Sequence, residues 1–382
     1  MKRGMQGTEL IQRVTEEPFK AFVPHPLPPN PPIVMDSALT DSLERANRAI
    51  GRLDGLAVLI PDISLFIYFY VRKEAVLSSQ IEGTQSSLSD LLLFESDEAP
   101  GVPLEDVQEV SNYVNALNFG MERIEASAPL TLRLIREIHA VLLAGGRGRD
   151  KQPGEFRRSQ NWIGGTRPGN AMFVPPPVTE LMSCLDGFEK YMHDMPVRTP
   201  TLIKAALLHV QLETIHPFLD GNGRIGRLLI TLLLCYEKAL GKPLLYLSLY
   251  FKTNREAYYN LLQRVRMEGD WEEWLHFFLK GVEETAVQAT RTAQGIFRLI
   301  NEERSQIEQM GRVAGNTLRL HHRMQKHPVF SIAEAAQDLN LSAQTVIKCL
   351  ERLQSLRIAR EVTGRQRNQV FIYDTLLNVL SV

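Results

Sequence analysis

The twelve residues HPFLDGNGRIGR, numbered 216–227, determine how the rest of the chain is interpreted. An apolar helical pattern over residues 201–214 leads into this segment, and a second helical pattern leads out of it from about residue 223. The Gly-Asn-Gly triplet therefore lies at a helix N-terminus. Free backbone N–H groups and the positive end of the helix dipole meet there, so the loop is suited to hold an anionic phosphate.

The loop residues themselves fit that interpretation. Gly221 and Gly223, on either side of Asn222, permit backbone turns that a side chain would block, and they let a ligand approach closely. Asp220 precedes them and offers carboxylate oxygens, which are the ligands that Mg²⁺ prefers. The sequence therefore predicts a phosphate cradle with a metal carboxylate beside it.

Three further side chains complete the candidate site. Arg224 and Arg227 lie three residues apart on the first turn of the outgoing helix. Cations are unfavourable at that end of a helix, so a bound anion is expected near them. His216 stands at the loop entrance and, with an ordinary pKa near 6.5, could accept a hydroxyl proton at neutral pH. The alternative is a plain helix–loop–helix turn with a hydrogen-bonded histidine.

Composition excludes several classes of protein. The chain has 382 residues, of which 44% are hydrophobic and 23% charged, as in globular proteins of two to three domains. Its 43 Lys and Arg against 44 Asp and Glu leave a net charge of −1, so any role in nucleic-acid binding must be local. Disordered, collagen-like and membrane-spanning chains do not have this composition.

The cysteines and the apolar segments bear on location. Cys184, Cys235 and Cys349 lie far apart and form neither a CxxC pair nor a zinc-ligand spacing. No secretory signal pattern is visible at the N-terminus, and the longest apolar stretch, residues 56–71, is too short and too interrupted to span a bilayer. We therefore expect a cytoplasmic protein in a reducing compartment, with no membrane partner.

The remaining pattern is mostly helical and predicts a division into four regions. The proline-dense segment VPHPLPPNPP, residues 23–32, favours an extended arm. Residues 146–177 are rich in Gly, Arg, Asn and Pro and predict a β-hairpin flap. The predicted regions are a Pro-rich N-terminal arm (1–35), an N-terminal helical region (36–125), a catalytic core (126–288), and a linker helix followed by a winged helix-turn-helix (289–382).

The C-terminal prediction depends on the order of its elements. Ser331 and Glu334 have capping-box spacing at the start of one helix, and a turn separates it from a second helix. Two short extended pieces then flank a turn at Gly364. Helix, turn, helix and hairpin is the order of a winged helix-turn-helix.

The segment 216–227 resembles the signature of Fic domains, HxFx(D/E)GNGRxxR, at every specified position. The flap QNWIGG…FVPPP, the helix before the motif and LLYLSLYFKTNREAYY after it are also similar to Fic proteins. This resemblance covers most of residues 40–285. It implies a mostly α fold, in which a Fic helical bundle carries a β-hairpin flap, and the winged helix-turn-helix is a common companion.

The resemblance implies a Mg²⁺-dependent protein adenylyltransferase. Such an enzyme transfers AMP from ATP to a Ser, Thr or Tyr hydroxyl of a target protein, or of itself, and releases pyrophosphate. The resemblance assigns the proton-accepting role to His216 and the binding of the metal to Asp220. The residues it implies for nucleotide binding are Gly221, Asn222, Gly223, Arg224, Ile225, Gly226 and Arg227 of the motif, Ile163, Gly164 and Gly165 of the flap, which should also align the target, and Tyr250 and Tyr258.

Two parts of this assignment need separate mention. For Tyr250 and Tyr258, packing in the core is the alternative to lining a nucleotide pocket. The upstream segment SSQIEG, residues 78–83, resembles the inhibitory motif (S/T)xxxE(G/N), with Ser78, Glu82 and Gly83 at its specified positions. The resemblance implies that Glu82 pairs with Arg227, occupies the γ-phosphate position and keeps the enzyme weakly active.

Several alternatives remain open from the sequence. The winged helix could make the chain a DNA-binding regulator, or it could serve dimerisation or target docking. Residues 326–382 carry seven Lys and Arg against five Asp and Glu, a mild basic excess. The nucleotide donor need not be ATP, because the motif reads phosphates rather than the base. The target is unidentified, and the oligomeric state stays open, with a homodimer as one candidate. The side chains that would face DNA are Gln344, Thr345, Lys348, Arg352, Arg365 and Arg367.

Overall fold

The computed structural model describes residues 3–13, 17–59, 64–95, 102–146, 148–365 and 368–381. The predicted mostly α fold is confirmed, with small antiparallel sheets. In these residues the helices are α1 (Ser37–Leu59), α2 (Ser64–Ile81), α3 (Leu88–Glu95), α4 (Leu104–Glu125), α5 (Leu132–Leu142), α6 (Val178–Met192), α7 (Thr201–Ile215), α8 (Asn222–Tyr236), α9 (Ser248–Thr253), α10 (Arg255–Glu268), α11 (Trp271–Glu308), α12 (Ala314–Lys326), α13 (Ile332–Leu339), α14 (Ala343–Ser355) and α15 (Asp374–Ser381). The strands are β1 (Gly7–Gln12), β2 (Phe19–Pro24), β3 (Val329–Ser331), β4 (Ala359–Glu361) and β5 (Val370–Tyr373).

Helices α7 and α8 form the centre of the molecule and bracket the loop of interest. Both are apolar around nearly their whole circumference, and almost all their residues are buried, as such sequences require. α7 packs against α6 and α8, and α8 packs against α4 and α5. The loop between α7 and α8 is therefore held by a rigid pair of buried helices.

Helix α11 is the longest element among the described residues. It runs without interruption over 38 residues, and α1 packs along it. The boundary predicted at residue 288 lies inside this helix. No helix in the described ranges is both long and apolar enough to cross a bilayer.

The N-terminal region contains a β-hairpin that the sequence analysis did not predict. Strands β1 and β2 pair antiparallel, with Gly7 opposite Pro24 and Gln12 opposite Phe19. The Phe22 N–H also donates to the Val174 carbonyl at 2.9 Å, so the hairpin attaches to the base of the flap. The alternation was missed because β1 is exposed along most of its length.

The predicted flap is present as a minimal antiparallel pair. Ile163 and Phe173 exchange backbone hydrogen bonds of 2.8 and 3.1 Å across it. Gly164 and Gly165 follow Ile163 with φ values of 69° and 70°, a region that favours glycine. A Cβ on Gly165 would lie 2.4 Å from the Asn170 carbonyl oxygen, so the turn also requires a close approach.

The C-terminal region has the element order that the sequence predicts. Strand β3, helices α13 and α14, and strands β4 and β5 follow α12, and the sheet order is β3-β5-β4. Ser331 and Glu334 form the predicted capping box, and Gly364 has a φ of 63° between the last two strands. Its assignment as a winged helix-turn-helix stays a prediction.

In α14, Gln344 and Lys348 are exposed, whereas Thr345 and Arg352 are half-buried. Arg367 lies outside the described residues.

A buried carboxylate fastens α2 to its neighbours. Glu74 accepts hydrogen bonds from the Tyr113 hydroxyl at 3.2 Å, from the Ser248 N–H at 3.2 Å and from the Ser248 hydroxyl. Ser248 is the first residue of α9, so the carboxylate also satisfies a donor at that helix end. Burial raises the pKa of Glu74 to about 7, although these hydrogen bonds oppose the rise.

We expect Glu74→Gln to flatten the pH dependence of stability. The pKa of Glu74 in the folded state lies above the ordinary value of 4.5. The stabilisation that its protonated carboxyl contributes is therefore fully present below pH 4.5 and is lost as the pH rises through about 7. The full effect is roughly 3 kcal/mol. Urea unfolding at about pH 5 and pH 8 measures it, with substitution of the exposed Glu122 by Gln as the control. Equal slopes in the parent and Glu74→Gln would contradict this prediction.

Candidate active site

His216 ends helix α7 in an unusual backbone conformation. Its φ of 50° and ψ of 60° place it in the left-handed region, and its N–H donates to the Leu212 carbonyl at 2.8 Å. Pro217 follows, and a residue before proline is disfavoured in the right-handed helical region, so the helix cannot continue. A non-glycine residue persists in this conformation only when its surroundings hold it there.

The imidazole of His216 is prepared to accept a proton. Burial lowers its pKa to about 4, and the positive charges of Arg266 and Arg157 act in the same direction. The ring is therefore neutral at pH 7. Its Nδ1 lies 3.4 Å from the Glu213 carbonyl oxygen, which can only accept, so Nδ1 carries the hydrogen. The lone pair is then on Nε2, where a hydroxyl proton could be taken.

The cradle predicted at Gly221–Gly223 is present at the start of α8. Gly221 precedes the helix with a φ of 78°, which accounts for glycine at this position. Asn222 is buried, and its amide bonds both the N–H and the carbonyl of Phe218, at 2.8 and 2.9 Å. Asn222 thus fixes the shape of the loop, while the first N–H groups of the helix have no partner within it.

The carboxylate of Glu82 lies over this cradle. A Cβ on Gly223 would come within 2.4 Å of Glu82 Oε1 and 3.0 Å of Arg227 Nη1. Arg227 Nη2 donates to Glu82 Oε1 at 2.7 Å and to the Ser78 carbonyl at 3.0 Å, and Arg227 Nε donates to the Ser78 hydroxyl at 2.8 Å. Gly83 follows with a φ of 103°. The structure therefore brings the SSQIEG segment and the last arginine of the motif together.

This pairing also sets the charge of Glu82. Burial alone would raise the pKa of Glu82, but the charge of Arg227 and its hydrogen bond, with help from Arg224, lower it below the ordinary value. Arg227 is only 2% exposed, whereas the Glu82 side chain is 35% exposed. Arg227 is thus a buried cation, and its partner Glu82 is an anion that solvent can reach.

Arg224 and Asp220 form the other side of the cradle. Arg224 Nη1 donates to Glu109 at 2.5 Å, and Nη2 donates to Asp220 Oδ1 at 3.2 Å. Asp220 Oδ1 also accepts from the Gly221 N–H at 2.5 Å, whereas no residue that the structure describes donates to Oδ2. The Asp220 side chain is 40% exposed. One carboxylate oxygen is thus available beside the cradle.

The donor set fits Mg²⁺ rather than a metal held entirely by protein. In the described part of the chain, no group of three or more His, Cys, Asp or Glu could hold a metal ion. Mg²⁺ usually binds through one or two carboxylates together with phosphate oxygens and water. Asp220 alone, beside a phosphate cradle, matches that pattern.

Two motif residues assigned to nucleotide binding lie behind the cradle. Ile225 is buried in the core, and Gly226 faces Glu213 and His209. A Cβ on Gly226 would lie 2.7 Å from Glu213 Oε1, so this glycine allows α8 to approach α7. The structure gives both residues a packing position.

The two tyrosines also lie in the core. Tyr258 is buried, with its hydroxyl 2.8 Å from His209 Nε2, and Tyr250 packs its ring against Phe277. Tyr259, which was not among the predicted site residues, is 41% exposed; partial burial raises its pKa, and the charge of Glu82 acts in the same direction. Consecutive helical residues point about 100° apart, and on α10 this turns Tyr258 into the core and Tyr259 toward solvent.

The flap residues, by contrast, are accessible. Gly164 and Gly165 are exposed, and Ile163 is half-buried. Trp162 and Met172 flank this strip and are 39% and 83% exposed. The geometry leaves the strip open for a chain segment to pair with, but it does not test the predicted alignment of a target.

Comparison with known proteins agrees with this geometry. The model described as Fic/DOC family N-terminal matches residues 40–122, and the model described as Fic/DOC family matches residues 129–234. Together they cover about half of the chain, including the SSQIEG segment and the motif at 216–227. The chain therefore contains both domains of the Fic/DOC family, over residues 40–122 and 129–234.

Curated relatives and solved structures support the same conclusion. The protein adenylyltransferase Fic of Aedes aegypti is 34% identical over 180 residues, and that of Drosophila erecta 31% over 179. Each match covers 46% of this chain and 33% of the relative, so the chain spans about a third of the length of these relatives. A Fic family protein from Desulfovibrio desulfuricans has the same fold, with a TM-score of 0.57 at 19% identity over 90% of this chain and 97% of that one. Fic-1 from C. elegans gives 0.50 at 20% identity, over 68% and 73%.

We expect His216 to remain neutral to well below pH 6.5, because burial disfavours the imidazolium. Side-chain NMR of histidine-labelled protein measures this, with the His216 signal identified by its loss in His216→Ala. The expected pKa is about 4. An ordinary value near 6.5 would show that the ring is solvated and would contradict the arrangement described above.

Proposed function

We propose that this protein is an adenylyltransferase that moves AMP from ATP to a Ser, Thr or Tyr hydroxyl of a protein. The observation that carries the proposal is the segment 216–227, where a neutral imidazole, an open helix N-terminus and two buried arginines meet within one loop. The name of the curated relatives, protein adenylyltransferase Fic, supports the choice of donor and reaction.

In this mechanism His216 Nε2 accepts the proton of the incoming hydroxyl. The hydroxyl oxygen attacks the α-phosphorus of ATP, the bond from that phosphorus to the β-phosphate oxygen breaks, and pyrophosphate leaves. The N–H groups of the Gly221–Gly223 cradle and the guanidinium of Arg224 stabilise the charge on the phosphate oxygens. Catalysis of this kind depends on positioning and on preorganised electrostatics.

Asp220 would hold Mg²⁺ through its Oδ2 oxygen, with the other ligands coming from phosphates and water. The ion would supply neutralisation of the phosphate charge. Asp220 itself is oriented by Arg224 and by the Gly221 N–H, which occupy its other oxygen. Among the described residues, these two hydrogen bonds, and no second acidic residue, fix the orientation of the Asp220 carboxylate.

We further propose that Glu82 inhibits the enzyme. Its carboxylate pairs with Arg227 and covers Gly223, where the γ-phosphate of ATP would be bound. A carboxylate and a phosphate compete for one guanidinium, and the Arg227 Nη2 that now donates to Glu82 would be the donor for the phosphate. ATP that binds with its γ-phosphate displaced would present its α-phosphorus out of line with the attacking hydroxyl.

Replacing Glu82 by Gly should raise the transfer of label from α-labelled ATP, to the protein itself and to lysate proteins. We expect a gain on the order of 10²-fold, since a misplacement of about 1 Å costs that much. The gain should vanish in Arg227→Ala, because the partner that Glu82 releases is then missing. An unchanged rate in Glu82→Gly would remove the inhibitory role from SSQIEG.

Replacing His216 by Ala in the Glu82→Gly background should lower transfer by roughly 10²–10⁴-fold, the usual contribution of a general base. Its unfolding temperature should change little, because His216 stands at the loop entrance and its ring makes only a long hydrogen bond of 3.4 Å, to the Glu213 carbonyl. The measurement is the initial rate of labelling beside a thermal melt. A parent-like rate would show that His216 is not the proton acceptor.

Replacing Asp220 by Ala in the same background should weaken the dependence of the rate on Mg²⁺. The remaining ligands would be phosphates and water, so half-saturation should move to a higher Mg²⁺ concentration. A titration of the rate with Mg²⁺ at fixed ATP measures this shift. If the titration curve does not move, Asp220 does not bind the metal.

The nucleotide base and the partner of the C-terminal region are separate proposals. A different nucleoside triphosphate is the alternative donor, and competition among labelled nucleotides would reveal it. The candidate partners of this region are DNA, which the exposed Gln344 and Lys348 of α14 would contact, and a protein, including a second copy of this chain. A mobility shift with DNA that disappears at higher salt would select DNA.

A further inference from the structure

Arg157, at the start of the flap segment, is a buried cation that the mechanism above does not use. Its side chain is 1% exposed, and among the described residues it bonds only backbone carbonyls. Nε donates to His216 at 3.0 Å, Nη2 to Pro176 at 2.5 Å and to Ile215 at 3.4 Å, and Nη1 to Ser159 at 3.3 Å. The backbone N–H of Arg157 also donates to the Pro217 carbonyl, at 2.9 Å.

Asn161 donates to the His216 carbonyl as well. Its Nδ2 donates to His216 O at 3.1 Å and to Phe218 O at 2.9 Å. Both acceptors are carbonyl oxygens, so the amide can have only this orientation. The backbone on each side of Pro217 is thus held by one planar amide group.

Burying a guanidinium is costly unless its donors are satisfied, so the position of Arg157 has a physical requirement. The last carbonyls of a helix lack intrahelical partners and carry the negative end of the helix dipole. At the end of α7, Arg157 donates to the carbonyls of Ile215 and His216. These hydrogen bonds satisfy the buried guanidinium and, at the same time, the unpaired carbonyls of the helix end. Its rigid fork of donors fixes the direction of those carbonyls in a way that a lysine could not.

We propose that Arg157 and Asn161 form a backbone clamp that holds His216 in its left-handed conformation and so aims its imidazole at the incoming hydroxyl. This inference rests on the proposed role of His216 as proton acceptor. Both are positioning residues, since they act through the backbone of His216 and not on the nucleotide. Neither was singled out by the sequence analysis.

The clamp also connects His216, the proposed proton acceptor, to the flap. The carbonyls of Ser159 and Pro176, which lie on either side of the Ile163–Phe173 pair of the flap, bind the same guanidinium that holds His216. The strip that would align a target and the nitrogen that would take its proton are therefore fixed to one another. A change at Arg157 should affect the chemical step more than the binding of ATP, because the cradle and Arg227 do not contact it.

The kinetic test uses the full chain in the Glu82→Gly background, with Asn161→Ala and Arg157→Lys. We expect kcat for transfer to fall by roughly 10- to 10²-fold, with the KM for ATP changed by less than about threefold. The matched control is Arg158→Ala, which removes a neighbouring arginine whose side chain is 80% exposed. It should behave as the parent. A folded Asn161→Ala protein with the parent kcat, or one with a raised KM alone, overturns the clamp.

A second measurement does not depend on activity. The charge of Arg157 helps to lower the pKa of His216, so Arg157→Met should raise that pKa, and Arg158→Ala should leave it unchanged. Side-chain NMR titration reads this directly. If the Glu82→Gly parent transfers no label, the proposed function fails while this titration still tests the clamp. An unchanged His216 pKa in folded Arg157→Met overturns it, and if that variant does not fold, the kcat of Asn161→Ala decides.

Discussion

Two buried guanidinium groups lie within the first two turns of α8, near the positive end of the helix, and neither is stable there without a matching anion. Arg224 is paired with Glu109 of α4, and Arg227 with Glu82, which directly follows α2. The N-terminal helices therefore attach to the core by supplying one carboxylate to each arginine. Removing one partner from a fully buried pair such as Arg224–Glu109 costs about 3–5 kcal/mol, so this docking is a constraint on the whole fold.

The two pairs differ in a way that suits different tasks. Arg224 and Glu109 are 3% and 4% exposed, so their separation would leave two charges out of water. Glu82 is 35% exposed and can return to solvent when another anion replaces it on Arg227. The first pair is thus a fixed structural contact, and the second is an exchangeable one. A single helical turn provides both.

Periodicity and spacing predicted what is local, whereas the distant pairing of Glu82 with Arg227 was anticipated only through the family resemblance, and other distant contacts were missed. Helices α7 and α8 and the cradle between them follow from apolar periodicity and glycine spacing, which act within a few residues. The β1–β2 hairpin was missed because its strands are short and partly exposed and gain their support from the flap. The contact of Glu74 with Ser248 joins residues 174 positions apart, and no periodicity encodes it. Tyr258 and Tyr259 could be told apart only once the helix face was known.

The continuity of α11 has a mechanical consequence. At 1.5 Å per residue its 38 residues form a rod of roughly 57 Å, with no break between the catalytic core and the helices that follow. A tilt of about 5° at one end would displace the other by about 5 Å. Helix α1 lies along this rod and precedes α2 in the chain. The C-terminal helices α12 and α15 also pack against α11, so one unbroken helix links them to α1 and, through the chain, to the helix that ends beside Glu82.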